Sequence, residues 1–262
     1  KPMRKFSVVL AALLVFGLML GAAGCGGGDG GQESDEAEVP TEIVVGSDAA
    51  YAPMEYVEDG EVLGFDADLI RAIGEHVGID VKVKHVDWDG IFAALESGDI
   101  DCIISSMTIT EDRLKEVDFS DPYFEATQII AVKEGSDIEG LVDLVGKPVG
   151  VQQNTTGHFA VEEVEGMDDG DIKKYPTTPD ALINLTNGLV KAVVADAPVV
   201  FNYIKHNPEA GIVTVTDDFE VENYGIAIKK GRQGLVDKIN EGLKLVKEDG
   251  TYDEIYEKYI GE

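Results

Sequence analysis

The chain is predicted to be an α/β protein, and three features of its sequence predict it. From residue 41 onward, short β-branched runs alternate with stretches whose apolar residues recur at helical spacing. An extended segment, Tyr123 to Lys133, interrupts this alternation, which then resumes as a second βα series. The 262 residues, 44% hydrophobic and 27% charged, leave room for one large or two medium cores. Strand–helix–strand order implies a mostly parallel sheet with helices on both faces.

In chain order, Glu42 to Gly46 reads as a strand and Ala67 to Val77 as an amphipathic helix stopped at Gly78. Asp80 to His85 is an alternating strand, and Trp88 to Glu96 a helix closed by Gly98. The apolar run Ile100 to Ile104 is a buried strand with Cys102 inside it as an inert thiol. Thr110, followed by Glu111 and Asp112, has the pattern of a helix N-terminus. Past the extended segment come a helix from Ile138 to Leu144, a strand from Pro148 to Gln152 and a helix from Gly157 to Val164. A strand near Lys173 to Tyr175, a helix from Pro179 to Asn187, a strand from Ala192 to Ala195 and a helix from Ala197 to His206 follow. Asn223 to Lys229 reads as a second crossover, before closing helices at Leu235 to Glu248 and Tyr252 to Tyr259.

The first 40 residues have a different character. Lys1, Arg4 and Lys5 precede the apolar run Phe6 to Leu20, and small residues then lead to Cys25, the layout of a secretory signal over residues 1–24. Gly26 to Pro40 is rich in Gly, Asp and Glu with little to bury, so residues 25–40 are expected to form a flexible tether. Without the signal, 18 basic and 51 acidic side chains remain, a formal charge of −33 against −30 for the whole chain. Nucleic acid and direct binding to anionic membrane surfaces are excluded, because both need a basic face.

Chemistry is suggested first by absences. The four histidines, His76, His85, His158 and His206, lack metal-ligand spacing, and there is no Gly-x-Ser-x-Gly, Walker or dinucleotide fingerprint. Asp87-Trp88-Asp89-Gly90 has the start of a calcium loop without its downstream ligands, so no metal or cofactor is expected. Against this background Arg113 stands out, a cation in a helix's first turn, where it opposes the macrodipole by roughly 0.3–1 kcal/mol. It either pairs with Asp118 or Asp121 or faces solvent, or it joins the Ser106-Met107-Thr108 turn in a socket of guanidinium, hydroxyl and N–H donors for a carboxylate. Asn154-Thr155-Thr156-Gly157, between a strand and a helix, likewise suits an anion.

At these residues the sequence resembles bacterial solute-binding protein family 3, the polar amino-acid-binding proteins of ABC importers. The resemblance covers Glu42 to Gly261 through Gly64-Phe65-Asp66-Ala67-Asp68-Leu69, Asp87-Trp88-Asp89-Gly90-Ile91, Ser105-Ser106-Met107-Thr108-Ile109-Thr110, Arg113, Asp118-Phe119-Ser120-Asp121-Pro122-Tyr123-Phe124 and Gly250-Thr251-Tyr252. It implies the type II periplasmic-binding fold: two Rossmann-like α/β lobes joined by a two-strand hinge, with a ligand cleft between them. The first lobe would span residues 41–126 and 223–262, and the second 127–222.

The resemblance also implies roles. Arg113, Ser106 and Thr108 would hold the carboxylate of a free amino acid, Thr156 would clamp it from the second lobe, and Asp196 would hold the ammonium. Tyr51 and Trp88 match aromatics that sandwich the ligand side chain, Asp48 the acidic position at its distal end, and Gln152 a position where glutamine-binding relatives carry lysine. Left without a cation opposite, Asp48 favours a basic ligand, arginine first, then lysine or histidine, with glutamine as the alternative. The family usually has glycine at the position of Asn154, and asparagine tolerates the left-handed backbone.

Further implications are an ABC permease partner, a monomer, no enzymatic activity and lipid attachment at Cys25, holding an exported protein at the outer face of the membrane or in the periplasm. The rival is a cyclohexadienyl dehydratase-like enzyme on the same scaffold, with Glu55 or His158 as the candidate general acid. Expressed in a lipoprotein-processing host, the wild-type chain should incorporate labelled fatty acid and sediment with membranes, and Cys25→Ser should do neither. Equal labelling of the two would refute the anchor.

Overall fold

Alternation along β1 (Glu42–Ser47) layers the first half of the chain. Ile43 and Val45 face one core, and Val44 faces another. The computed structural model describes residues 39–261, so the expected signal segment, Cys25 and all but the last two tether residues lie outside the described residues.

After β1, a small antiparallel hairpin sheet, β2 (Ala50–Tyr51), β3 (Glu55–Glu58) and β4 (Glu61–Leu63), leads into α1 (Phe65–Val77). Then come β5 (Asp80–His85), a 3-10 turn at Trp88–Gly90, α2 (Ile91–Ser97), β6 (Cys102–Ile103), α3 (Arg113–Glu116) and β7 (Val117–Phe119). β8 (Phe124–Ala126) leaves this lobe, and β9 (Gln128–Lys133) enters the second. There follow β10 (Val149–Gln152), α4 (Thr156–Glu162), β11 (Ile172–Tyr175), α5 (Thr178–Thr186), β12 (Ala192–Asp196), α6 (Ala197–His206) and β13 (Ile212–Val215). The return runs through β14 (Glu222–Tyr224) to β15 (Ala227–Lys229), α7 (Gln233–Glu248) and α8 (Thr251–Tyr259).

The strands form two five-stranded sheets, ordered β5-β1-β6-β15-β7 and β11-β10-β12-β9-β13, and a two-stranded ribbon of β8 and β14. Each sheet is mixed, which corrects the expectation of mostly parallel pairing. β15 runs antiparallel to both of its neighbours, as does β9, because each reaches its sheet by a crossover from the other lobe instead of through a covering helix. Both faces of each sheet are covered. On the first, α1, α7 and α8 bury Ile43, Val45, Cys102 and Ile228, while α2 buries Ile103 and Ala227 from the opposite side. On the second, α5 and α6 cover Ile129, Val193 and Ala195, and α4 covers Ile130, Val151 and Val194. Cys102 is a free, fully buried thiol, pushed up to about 12 by desolvation.

One expected helix, Ile138 to Leu144, is only a 3-10 turn at Leu141–Leu144. Gly140 enters it fully extended, and Gly146 with φ 74° ends it two residues before Pro148. The hairpin was missed, although Asp59-Gly60 at its tip, both at positive φ, is a strong turn signal. Gly64, at the junction of hairpin and α1, has φ 120° and ψ 177°, a region closed to other residues, and a Cβ there would lie 2.3 Å from the Met54 carbonyl oxygen. Gly64→Ala should therefore cost on the order of 2–4 kcal/mol, seen as a lower urea midpoint with an unchanged slope. A midpoint equal to the parent's would disprove the constraint.

Candidate functional site

The carboxyl ends of the central strands face each other across a cleft. β1 delivers Asp48, β6 the Ser105–Thr108 turn, β10 Gln152 and β12 Asp196. All nine residues singled out from the sequence line one cavity: Asp48, Tyr51, Trp88, Ser106, Thr108, Arg113, Gln152, Thr156 and Asp196.

Asp196 opens α6 but does not cap it; its side chain makes no capping bond and turns into the cleft instead. One carboxylate oxygen accepts the hydroxyls of Tyr51 at 2.7 Å and Tyr224 at 2.5 Å, and the other accepts the Gln128 amide. Burial, and then the charge of Glu222, push Asp196 up to about 6 despite these donors. Its three partners come from the first lobe, the return crossover and the second lobe, so a single carboxylate ties all three together.

Arg113 pairs with neither Asp118 nor Asp121, since Lys230 and the Gly231 N–H take Asp118, and solvent exposure is limited too. Its guanidinium donates to the Thr108 carbonyl at 2.8 Å and lies 5.4 Å above the Trp88 ring, so this ring face, expected as a platform for ligand, carries Arg113 instead. Thr110 Oγ1 accepts the Arg113 N–H at 3.2 Å and starts the one-turn α3. In the turn, the Ser106 N–H goes inward to Asp66 at 2.7 Å, leaving the Met107 and Thr108 N–H groups without a partner among the described residues. Across the cleft, Asn154 adopts the left-handed conformation at φ 59° and its carbonyl meets the Trp88 indole N–H at 3.4 Å.

Asp48 is 4% exposed, and its side chain accepts only the Gln152 amide, at 2.9 Å. Thr178 and the Pro176 carbonyl fix that amide's orientation, so it meets Asp48 as a neutral donor. Desolvation pushes Asp48 up to about 6. Asp48, His85 and Asp87 bring ligand atoms within 4.8 Å of one another, but the His85 Nδ1 accepts the Ala49 N–H and its Nε2 faces Asp87 at 3.1 Å, so both ring nitrogens are engaged.

Several neighbours have a place in the cleft that the sequence does not assign to them individually. Ser105 and Thr155 complete the lining together with Glu55, which had been considered only as an acid catalyst. Glu55 is fully buried and raised far above the usual carboxylate range by desolvation and by adjacent Asp66, and it accepts the Ser105 hydroxyl at 2.9 Å. His158, the other candidate acid, does not line the cavity: its Nδ1 accepts the Asn154 N–H, and its Nε2 is 2.9 Å from Glu162. Gln128 and Glu222 stand behind Thr156 and Thr108, bonded to their hydroxyls, each on a crossover segment whose sequence reads only as a connection.

Residues 43–262 match the family of bacterial extracellular solute-binding proteins, family 3. Among relatives, a "probable histidine-binding protein" of Neisseria gonorrhoeae is 40% identical over 96% of this chain and 94% of its own. Of solved structures, the arginine-, lysine-, histidine-binding protein ArtJ of Geobacillus stearothermophilus superposes with TM-score 0.81 at 44% identity, covering 84% of this chain and 96% of that one. An ancestral arginine-binding protein bound to glutamine gives 0.80 at 46% identity, over 86% and 100% of the two chains.

The burial of Asp48 carries a stability cost with a definite sign. Its folded pKa of about 6 lies above the ordinary carboxylate value, so the folded state binds the extra proton between roughly pH 4 and 6, and this stabilisation is lost as pH rises through 6. In urea unfolding of ligand-stripped protein, followed by Trp88 fluorescence, Asp48→Asn should match the parent near pH 4 and exceed it by on the order of 2 kcal/mol above pH 6.5. A difference that does not vary with pH would contradict this.

Proposed function

The chain belongs to the bacterial extracellular solute-binding proteins of family 3, and on that premise we propose that it is the receptor of an amino-acid ABC importer, binding a basic amino acid, arginine before lysine or histidine. The observation that carries the choice of ligand is Asp48, a buried carboxylate at one end of the cleft whose only side-chain partner is the neutral Gln152 amide. Asp48, Asp196 and Glu222 outnumber the single cation Arg113 in and around the cavity. A zwitterion with a positive side chain complements this set, because an unpaired buried charge costs several kcal/mol.

In the proposed binding mode, Arg113 and the Ser106–Thr108 turn hold the α-carboxylate from the first lobe, and Thr156 meets it from the second. Asp196 takes the ammonium, Tyr51 flanks the side chain, and Asp48 with Gln152 receives its far end. A ligand touching both lobes favours the closed arrangement over an open one, with lobe limits at residues 41–126 plus 223–262 and 127–222, and with bending at β8 and β14. Cleft geometry of this kind also suits glutamine, since the Gln152 donor already satisfies one Asp48 oxygen and leaves the other for a ligand amide; the ancestral relative holds glutamine. Export, lipid attachment at Cys25 and delivery to a permease complete the proposal. Binding alone is needed for this role, without catalysis.

A thermal-shift screen of unfolded-and-refolded protein against the twenty amino acids, arogenate and prephenate tests the reading. A ligand at one hundred times its Kd adds about 2.7 kcal/mol, a shift of several degrees at this chain length. Arginine, lysine or histidine should give that shift, and Arg113→Ala should weaken binding by about 2–5 kcal/mol, roughly thirtyfold to several thousandfold. A shift with glutamine alone would retain the receptor and overturn the charge argument. No shift with any amino acid, together with turnover of prephenate or arogenate, would replace the receptor with an enzyme.

A further inference from the structure

The two threonines on opposite sides of the cleft have both committed their hydroxyl hydrogens. Thr108 Oγ1 lies 2.6 Å and Thr156 Oγ1 2.9 Å from the same oxygen, Oε2 of Glu222. Both hydroxyls donate to that oxygen, and each has a single hydrogen to give. Neither oxygen then has a hydrogen left for the cleft; each offers lone pairs, and one of those on Thr156 faces the Gln128 amide at 3.2 Å. Glu222 stands on β14, and the Gln128 amide, which donates one hydrogen to Asp196, directs its other between Thr156 Oγ1 at 3.2 Å and the second Glu222 oxygen at 3.3 Å. One glutamine thus couples the two carboxylates, and its own Oε1 is buried without a partner, pointed away from them towards Gly157.

We propose that Glu222 is a positioning and specificity residue of the cleft: by taking the hydroxyl hydrogens of Thr108 and Thr156 it fixes both oxygens as acceptors for the ligand's α-ammonium, beside Asp196. This rests on the amino-acid reading above and refines it. The Thr156 hydroxyl is assigned to the ammonium, and only the backbone of that residue is left to meet the carboxylate. Without Glu222 each hydroxyl is free to rotate and donate to a carboxylate drawn in by Arg113, and acids that lack the α-amino group would then be accepted nearly as well. With Glu222 in place, such acids leave two oriented acceptors and a buried carboxylate unsatisfied, the kind of defect that gives strong discrimination.

The test is calorimetric titration of refolded wild type, Glu222→Gln and Glu222→Asp with L-arginine and with 5-guanidinopentanoate, its counterpart without the amino group, and in parallel with L-glutamine and 4-carbamoylbutanoate. Wild type should prefer the amino acid by a hundredfold or more. Glu222→Gln should lose about tenfold to a hundredfold for the amino acid and less than about threefold for the deamino compound, so the preference collapses. Glu222→Asp keeps the charge but falls a methylene short, and should lose comparably. Unchanged or tighter amino-acid binding by Glu222→Gln, equal losses for both compounds, or full retention by Glu222→Asp would each overturn the assignment. Wild-type protein that binds none of arginine, glutamine, lysine and histidine would instead remove the amino-acid reading itself, before any variant is compared.

Discussion

Asp196 sets the constraint on which the geometry of the cleft depends. A carboxylate this deeply buried must find donors, and it finds them in Tyr51 of the first lobe, Tyr224 of the return crossover and Gln128 of the outgoing one. No two of these come from the same stretch of chain, so satisfying Asp196 fixes the relative placement of both lobes and both connections. Tyr224 in turn stacks on Phe124, which carries the constraint into the aromatic cluster of Phe65, Tyr252 and Tyr256 behind the ribbon. The donors are still insufficient to offset desolvation, as the raised pKa of Asp196 indicates, and an incoming cation would supply what they lack.

A second buried acid pair supports the other half of the cleft. Asp66 accepts the Ser106 N–H and the Tyr123 hydroxyl, while Glu55 receives the Ser105 hydroxyl, so the turn that faces the cleft rests on two carboxyl groups. Ser106 has φ 46°, a conformation that a non-glycine residue keeps only when its surroundings enforce it. The Asp66 bond to its N–H is that enforcement. Asp66 lies in the Gly64-Phe65-Asp66 segment and follows directly from the Gly64 junction, so the hairpin, α1 and the binding turn form one mechanical unit.

Much of this was legible because the informative residues sit where α/β geometry puts function. Asp48, Ser106, Gln152 and Asp196 follow or end strands with clear β-branched patterns, and that placement alone sends them to the cleft. The rest was hidden for physical reasons. Glu55 and Glu222 lie in strands of four and three residues, too short and too polar to show a period, and their partners are 50 or more positions away in sequence. The segment after Ile138 has helical spacing but too few residues between its bracketing glycines to complete a second turn. Mixed pairing in both sheets follows from where the crossovers enter, which no local pattern encodes.

The crossovers are therefore more than connectors. β8 and β14 pair with each other, and the ribbon they form is flanked by Gln128 on one side and carries Glu222 on the other, the two groups that organise the second-lobe carboxylate and the threonine hydroxyls. A domain motion that bends this ribbon must move Glu222 relative to Thr108, Thr156 or both, because those threonines belong to different lobes. Orientation of the hydroxyls and closure of the lobes are consequently one event, coupled through a carboxylate on the hinge strand. Under the proposed assignment such coupling would make recognition of the ammonium conditional on closure, whereas Arg113 and its turn lie wholly in the first lobe and could engage a carboxylate before the lobes meet. In the proposed binding mode, capture would therefore have a built-in order, carboxylate first and ammonium second, set by which side of the hinge supplies each donor and acceptor.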